Sequence, residues 1–206
     1  MEIVISTHSP MALVSRLQMA TGHHIVASHP DFNHQWCREL LSNPDIKWST
    51  TTDEKNASKP ERVSNSMFEY TLYSDRGIRA HLSFRRPTKE PEAVDGWEAC
   101  FLLSIGDGVD GMSGRAHGGF NGVILDHICG HVAHHASSFN PVSPATATMT
   151  IDYKAPVSTP CVVLARGWLV EKSGRKVWVK AVLQDGEGRP LATAKCLFIL
   201  ARTEKM

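Results

Sequence analysis

A chain of 206 residues is long enough to bury about 70% of its unfolded surface without disulfide staples, so it suits one domain with an extension. Its 22 Lys and Arg against 21 Asp and Glu leave a formal net charge of +1, which offers no bulk attraction to nucleic acid or a membrane surface and points to a small-molecule partner. The five cysteines (Cys37, Cys100, Cys129, Cys161 and Cys196) are odd in number and scattered, with no C-x-x-C pair, which argues for a reducing compartment and against a disulfide framework.

No apolar run approaches the ~20 residues of a membrane span. Residues 1–29 lack a charged segment followed by a clean apolar one, so a secretory signal is not expected; the expected location is cytoplasmic, with a mitochondrial presequence left open by composition. After Pro30, the run from Asp31 to Leu41 reads as a short amphipathic helix capped by Asp31 or Asn33, with Trp36, Leu40 and Leu41 on one face and Ser42-Asn43-Pro44 as its stop. Its apolar face predicts packing on the domain, with a lid over a ligand pocket as the other reading. Between Trp48 and Ser66 the sequence turns polar and reads as a loop. The organisation expected is an extension over 1–66 and a compact body over 67–206.

Strand patterns open the body. Met67 to Ser74 alternates through Phe68, Tyr70 and Leu72, Asp75-Arg76-Gly77 turns, and Ile78 to Arg85 alternates again, which predicts a hairpin. Trp97 to Ile105 is a third apolar run, ending in a loop rich in Gly and Asp from Gly106 to Gly114. A helix is then predicted from about Gly118 to about His135. Four strand-like segments follow: Ala145 to Tyr153, Val162 to Lys172, Lys176 to Gln184 and Leu191 to Ala201, with Gly-bearing turns between the last three. Strands, one long helix and then meandering strands predict an α+β architecture, an antiparallel sheet curled round a helix.

On a helical wheel Phe120, Ile124, Ile128, His131 and His135 form the stripe expected to press on the sheet, while Gly119, Gly122, Cys129, Gly130 and Ala133 gather round Asp126 on the other side. Each interior glycine costs about 1 kcal/mol relative to Ala, so the group implies close approach by a neighbouring element or a ligand. Backbone N–H groups of Gly118 and Gly119 lie at the positive end of the helix and can hold an anion or a developing oxyanion. Asp126 can supply a base or nucleophile. Together these are the minimum equipment for acyl transfer.

His117-Gly118-Gly119, with Asp126 nine residues after the histidine inside an apolar helix, resembles the hotdog-fold acyl-CoA thioesterases, specifically their phenylacetate-pathway-like branch. The run Thr146-Ala-Thr-Met-Thr-Ile-Asp-Tyr-Lys-Ala-Pro156 is similar to that family's strand after the helix, and the resemblance extends from about Phe68 to Leu200. It implies a hotdog fold and hydrolysis of a fatty or aromatic acyl thioester, carried on CoA or an acyl carrier. Asp126 would act as general base or nucleophile, and the Gly118 or Gly119 N–H would bind the thioester oxygen. Thr146 would position the water. The resemblance also implies pairing of two subunits, as a homodimer or a dimer of dimers. His117 either binds the carbonyl side of the substrate or braces the turn. Arg115 and Lys154, basic residues near the proposed mouth, and Asn121 in the first helical turn are the candidate substrate-binding residues. A thiolate whose acid has a pKa of about 8.5 leaves readily, so no strong general acid is required; no cofactor is expected.

His127, His131, His134 and His135 offer i, i+4 pairs, but no Glu follows His127 as in H-E-x-x-H, and no metal is expected. Two other readings stay open. One is a hydratase, dehydratase or cyclase on the same scaffold, acting on a polyketide-like or thioester-bound substrate; the other is a non-catalytic acyl-ligand binding protein.

Overall fold

The structure, a computed structural model, describes residues 28–48, 66–137 and 142–202. The first 27 residues and the polar stretch expected between Trp48 and Ser66 lie outside the described residues, apart from their edges. Seven antiparallel strands form one sheet in the order β1-β2-β3-β7-β8-β9-β6: β1 (Lys47–Trp48), β2 (Ile78–Pro87), β3 (Trp97–Ile105), β6 (Ala145–Tyr153), β7 (Cys161–Ser173), β8 (Lys176–Gln184) and β9 (Pro190–Ile199). A small hairpin of β4 (Asp110–Met112) and β5 (Arg115–Ala116) leads into the long helix. This helix, Gly118–Ala136, lies in the concave face of the sheet, and a short one, α1 (Gln35–Leu41), precedes the sheet. We label the long one α2. No helix among the described residues is long and apolar enough to cross a membrane.

The two faces of the sheet are two separate cores. Alternate strand residues Ala99, Phe101, Leu103, Val163, Ala165, Val179 and Ala181 meet Ile124, Leu125 and Ile128 of α2 on the concave side. Each fully buried aliphatic side chain there contributes about 1.5–3 kcal/mol relative to exposure. The intervening residues Leu82, Phe84, Cys100, Leu102 and Leu164 point to the convex side, where Phe32 and Cys37 of the extension cover them. The short helix thus packs on the sheet, on the face opposite α2, and does not lie over the concave face as a lid would. The helix begins only at Gln35, with His34 as its N-cap in place of the expected Asp31 or Asn33; Asp31 lies in a separate turn (Pro30–Phe32) ahead of it and accepts from Arg79 and Ser104. Burial opposes ionisation of Asp31, but the Arg79 and Ser104 hydrogen bonds and the guanidinium charge outweigh it and hold its carboxyl below the usual range.

Two expectations are corrected. Residues 67–71 form a single π-helical turn, not the first arm of a hairpin. Phe68 and Leu72 are four apart and both turn inward, a spacing that one helical turn satisfies as well as a strand does. Phe68 stacks on His127 at a ring separation of 3.8 Å. The wheel is also corrected. Gly122, Cys129 and Ala133, expected on the open side with Asp126, are buried, and His131 and His135 are only half-buried. The sheet curls round α2 and buries well over half its circumference, so a two-face division does not apply.

A polar cluster continues the convex face beyond the apolar core. Glu98, 2% exposed, accepts from Arg86 Nε and Arg166 Nη1 at 2.7 Å each and from the Thr88 hydroxyl at 2.7 Å. Arg166 also reaches Glu90 and Gln184. Removing the central carboxylate strands two guanidinium groups against the sheet. Glu98→Ala is expected to lower the free energy of unfolding by about 3 kcal/mol, measured by urea denaturation against the wild type.

His81, His127, His131 and His135 line the concave face between β2 and α2, round Phe101. Burial, reinforced at His81 and His131 by neighbouring imidazoles, holds His81 at about 3, His127 at about 4 and His131 at about 3. The unfolded chain takes protons on these rings below about 6.5 and the folded chain does not. Their contribution to stability is therefore fully present above pH ~6.5 and is lost as pH falls toward ~4, at up to about 1.4 kcal/mol per pH unit for each ring. Urea midpoints are expected to drop progressively from about pH 7 to about pH 5, and His131→Leu to flatten that dependence.

Candidate active site

The start of α2 is held from both sides. His117 N–H donates to Val109 O at 2.8 Å, and Ala116 N–H donates to Val157 O at 2.9 Å, so the residues before the helix are laid between two loops. Gly114, at φ 73°, makes the turn between β4 and β5 in a conformation few other residues adopt. Gly111 is required by contact: a Cβ there would come within 2.7 Å of the His117 ring. His117 is the N-cap, and its Nδ1 accepts from the Gly119 N–H at 2.8 Å.

That cap separates the two donors expected at the helix start. The Gly119 N–H is taken by the His117 ring, and His117 braces the turn. The Gly118 N–H sits at N1, where no intrahelical acceptor exists. On the other side of Gly118, the Tyr153 hydroxyl donates to Gly118 O at 2.9 Å.

Asp126 lies two turns further along, half-buried at the margin of the sheet-facing surface. The Thr146 hydroxyl of β6 donates to Asp126 Oδ1 at 2.9 Å. This contact depends on an irregularity in the strand. Thr146 pairs with Phe198 and Thr148 with Leu197, so β6 carries one extra residue there, a β-bulge at Ala147. Thr146 and Tyr153 are seven apart and would face opposite sides of a regular strand. The bulge shifts the phase by one, so both face α2.

Three glycines of α2 face this same strand and its neighbour. The Tyr153 ring lies 3.5 Å from where a Gly118 Cβ would stand, Ile151 Cδ1 3.1 Å from that of Gly122, and the Phe198 ring 3.6 Å from that of Gly130. Only at Gly122 is the approach tighter than ordinary contact; at Gly118 and Gly130 an added Cβ would meet its neighbour at van der Waals distance.

Other expected site residues are distributed as follows. Arg115 is exposed on β5, and its backbone bridges to Ser158. Lys154 is exposed just past β6, with Nζ 3.8 Å from Asp152. Both lie near the His117 end of α2. Asn121 is 5% exposed, and its Oδ1 is buried with no hydrogen-bond partner among the described residues. It therefore lies within the helix–sheet packing, not on the outer face with Asp126. His131 Nε2 lies 3.2 Å from His135 Nε2, and its ring packs edge-on against Phe101. It turns away from Asp126 to the other flank of α2. Burial, with Cys196 alongside, pushes the Cys129 thiol well above its ordinary range, so it is no nucleophile at neutral pH. No group of three His, Cys, Asp or Glu among the described residues is arranged to hold a metal.

Tyr153 is the residue that sequence reading missed. Its signal was the odd spacing to Thr146 in a strand followed by Lys154 and Pro156. His117→Ala removes the cap, and a thermal melt is expected to show a loss of about 1 kcal/mol, with His117→Asn recovering most of it because Asn accepts the same N–H.

The thioesterase-superfamily model matches residues 113–192. Acyl-coenzyme A thioesterase THEM4 of Rattus norvegicus is 34% identical over 105 residues, covering 50% of this chain and 44% of that protein. The chain thus aligns with less than half the length of that relative. Among solved structures, smu.793 from Streptococcus mutans UA159 bound to acetyl CoA matches at 19% identity and a TM-score of 0.46, over 52% of this chain and 84% of that one. Zebra fish thioesterase superfamily member 2 matches at 13% identity and a TM-score of 0.47, over 57% and 81%. The matched segment contains all of α2, β6, β7 and β8, so over the helix and the three strands that follow it the chain is similar to the thioesterase superfamily.

Proposed function

We propose that this protein hydrolyses an acyl thioester, with acyl-CoA as the substrate class, using Asp126 as general base and the Gly118 N–H as oxyanion donor. The single observation that carries the reading is the Thr146–Asp126 hydrogen bond at 2.9 Å, which joins the helix acid to a hydroxyl twenty residues away. With the Thr146 proton committed to Oδ1, a water is held by donating one proton to Thr146 Oγ1 and the other to Asp126 Oδ2. Its lone pair is then aimed outward at the carbonyl carbon. As the water oxygen bonds to that carbon, Asp126 takes a proton and the carbonyl oxygen becomes an oxyanion facing the Gly118 N–H. Collapse breaks the C–S bond and releases the thiolate, which is a good leaving group without strong acid assistance. Arg115 and Lys154, near the helix start, are the proposed contacts for the phosphates of the carrier. The similarity to THEM4, an acyl-coenzyme A thioesterase, supports the choice of CoA.

One chain does not hold both halves of this site. Gly118 and Asp126 are eight residues apart, which at 1.5 Å per residue is about 12 Å along the axis. A reacting carbon needs its base and oxyanion donors within about 3 Å of the reacting atoms. We therefore place Asp126 of one copy opposite Gly118 of a second. Strand β6 is exposed along its length at one end of the sheet, with β9 as its neighbour and Met149 and Tyr153 at the surface. Pairing two β6 edges would join the sheets and cover a strand edge that is otherwise open to aggregation.

Asp126→Asn is expected to lower kcat by at least 10²-fold in a thiol-release assay over short, long and aromatic acyl-CoAs. Gly118→Pro removes the N–H at a helical position that tolerates proline and adds a ring beside Tyr153; it should cost about 10²–10³-fold, with the fold checked by circular dichroism. Mixing the two inactive variants after dissociation is expected to regain about a quarter of the sites, because half of the dimers are mixed and each has one intact site. Full activity of folded Asp126→Asn defeats the reading; recovery of no activity on mixing defeats the shared site.

A further inference from the structure

We infer that Tyr153 is a positioning residue that fixes the direction of the Gly118 N–H; this rests on the thioesterase reading above. The peptide unit joining Gly118 to Gly119 is tied at both ends, its carbonyl accepting from the Tyr153 hydroxyl at 2.9 Å and its N–H donating to His117 Nδ1 at 2.8 Å. The preceding unit is also tied, because its carbonyl, His117 O, accepts from Asn121 N–H at 3.2 Å. What remains free is rotation about the two bonds of Gly118, the residue type with the widest backbone freedom. Tyr153 removes that freedom. Its ring lies against the Gly118 Cα, 3.5 Å from where a side chain would begin, and its hydroxyl lies 4.0 Å from the corresponding point on Gly122. Glycine at both positions opens a notch in the first turns of α2 that the phenol fills.

The arrangement also strengthens the cap that holds Gly118, through the Gly119 N–H bound to His117. A hydroxyl donating into a carbonyl whose own peptide N–H is hydrogen-bonded onward forms a chain in which each bond strengthens the next. The phenol is itself placed by the strand: Tyr153 pairs with Ala192, and the next residue, Lys154, donates its N–H to Leu191 O at 2.8 Å. Tyr153 touches neither Asp126 nor Thr146 in any bond the structure records, so its effect on turnover runs through Gly118. An oxyanion donor contributes only when the oxyanion has formed, which separates this role from substrate binding.

Tyr153→Phe keeps the ring and removes the hydroxyl. The expected result is a fall in kcat of about tenfold, part of the 10²–10³ lost with a whole donor, with KM within about twofold and an unchanged pH profile. In the substrate-free protein, hydrogen exchange at the Gly118 and Gly119 amides is expected to quicken, while that of β8 and β9 stays as in the wild type. Because His117 and Tyr153 grip one peptide, the double variant His117→Ala with Tyr153→Phe should lose less than the product of the single losses. Wild-type kcat and unchanged exchange in Tyr153→Phe, alongside an inactive Asp126→Asn, overturn the inference and leave the thioesterase reading standing. An active, folded Asp126→Asn overturns both. A rise in KM with kcat unchanged would make Tyr153 a substrate contact and also overturn it.

Discussion

The closeness of α2 to strands β6 and β9 is the constraint on which the rest of the molecule depends. Positions 118, 122, 126 and 130 are four apart and form one row along the helix. Three of them are glycine, and into those three gaps fit Tyr153, Ile151 and Phe198. The fourth is Asp126. Because its neighbours in the row have no side chains, the strand runs near enough for Thr146 to reach the carboxylate. The acid is thus the one side chain projecting from a groove otherwise filled from the other side.

The sheet separates that chemistry from the structural burden. Its convex face carries the N-terminal helix, the Asp31 anchor and the Glu98 network, all remote from α2. The concave face carries the helix and a set of histidines held neutral by burial. Neutral imidazoles pack as aromatic rings there: His127 stacks on Phe68, and His131 meets Phe101 edge-on.

Much of the fold was legible because turns punctuate it. Strands β3, β6 and β8 begin and end where the apolar alternation meets Gly, Pro or Asp, and the helix start is marked by its glycines. Residues 67–74 misled because inward residues at 68 and 72 satisfy a helical turn and a strand equally. The wheel misassigned Cys129 and Ala133 because periodicity reports a buried stripe and not how far a curled sheet wraps round it. Of the proposed site, Asp126, Thr146 and Gly118 could be named as candidates from the chain alone, and the structure brings the first two into contact. The capture of the Gly119 N–H by His117 could not, since histidine is not among the favoured N-caps. The burial of Asn121 is likewise a matter of tertiary packing, and the axial gap between Gly118 and Asp126 becomes a problem only when both must meet one atom.

The bulge at Ala147 couples chemistry to chain length. Shortening β6 by one residue at that point would restore an even ladder and rotate everything upstream of it by half a turn, so that Thr146 looked away from the helix while the strand stayed paired. Relatives differing by a single insertion or deletion here would keep the architecture and lose the hydroxyl. Within such a lineage, members that keep the contact between threonine and helix acid would be told from those that lack it by counting residues between the threonine and the tyrosine.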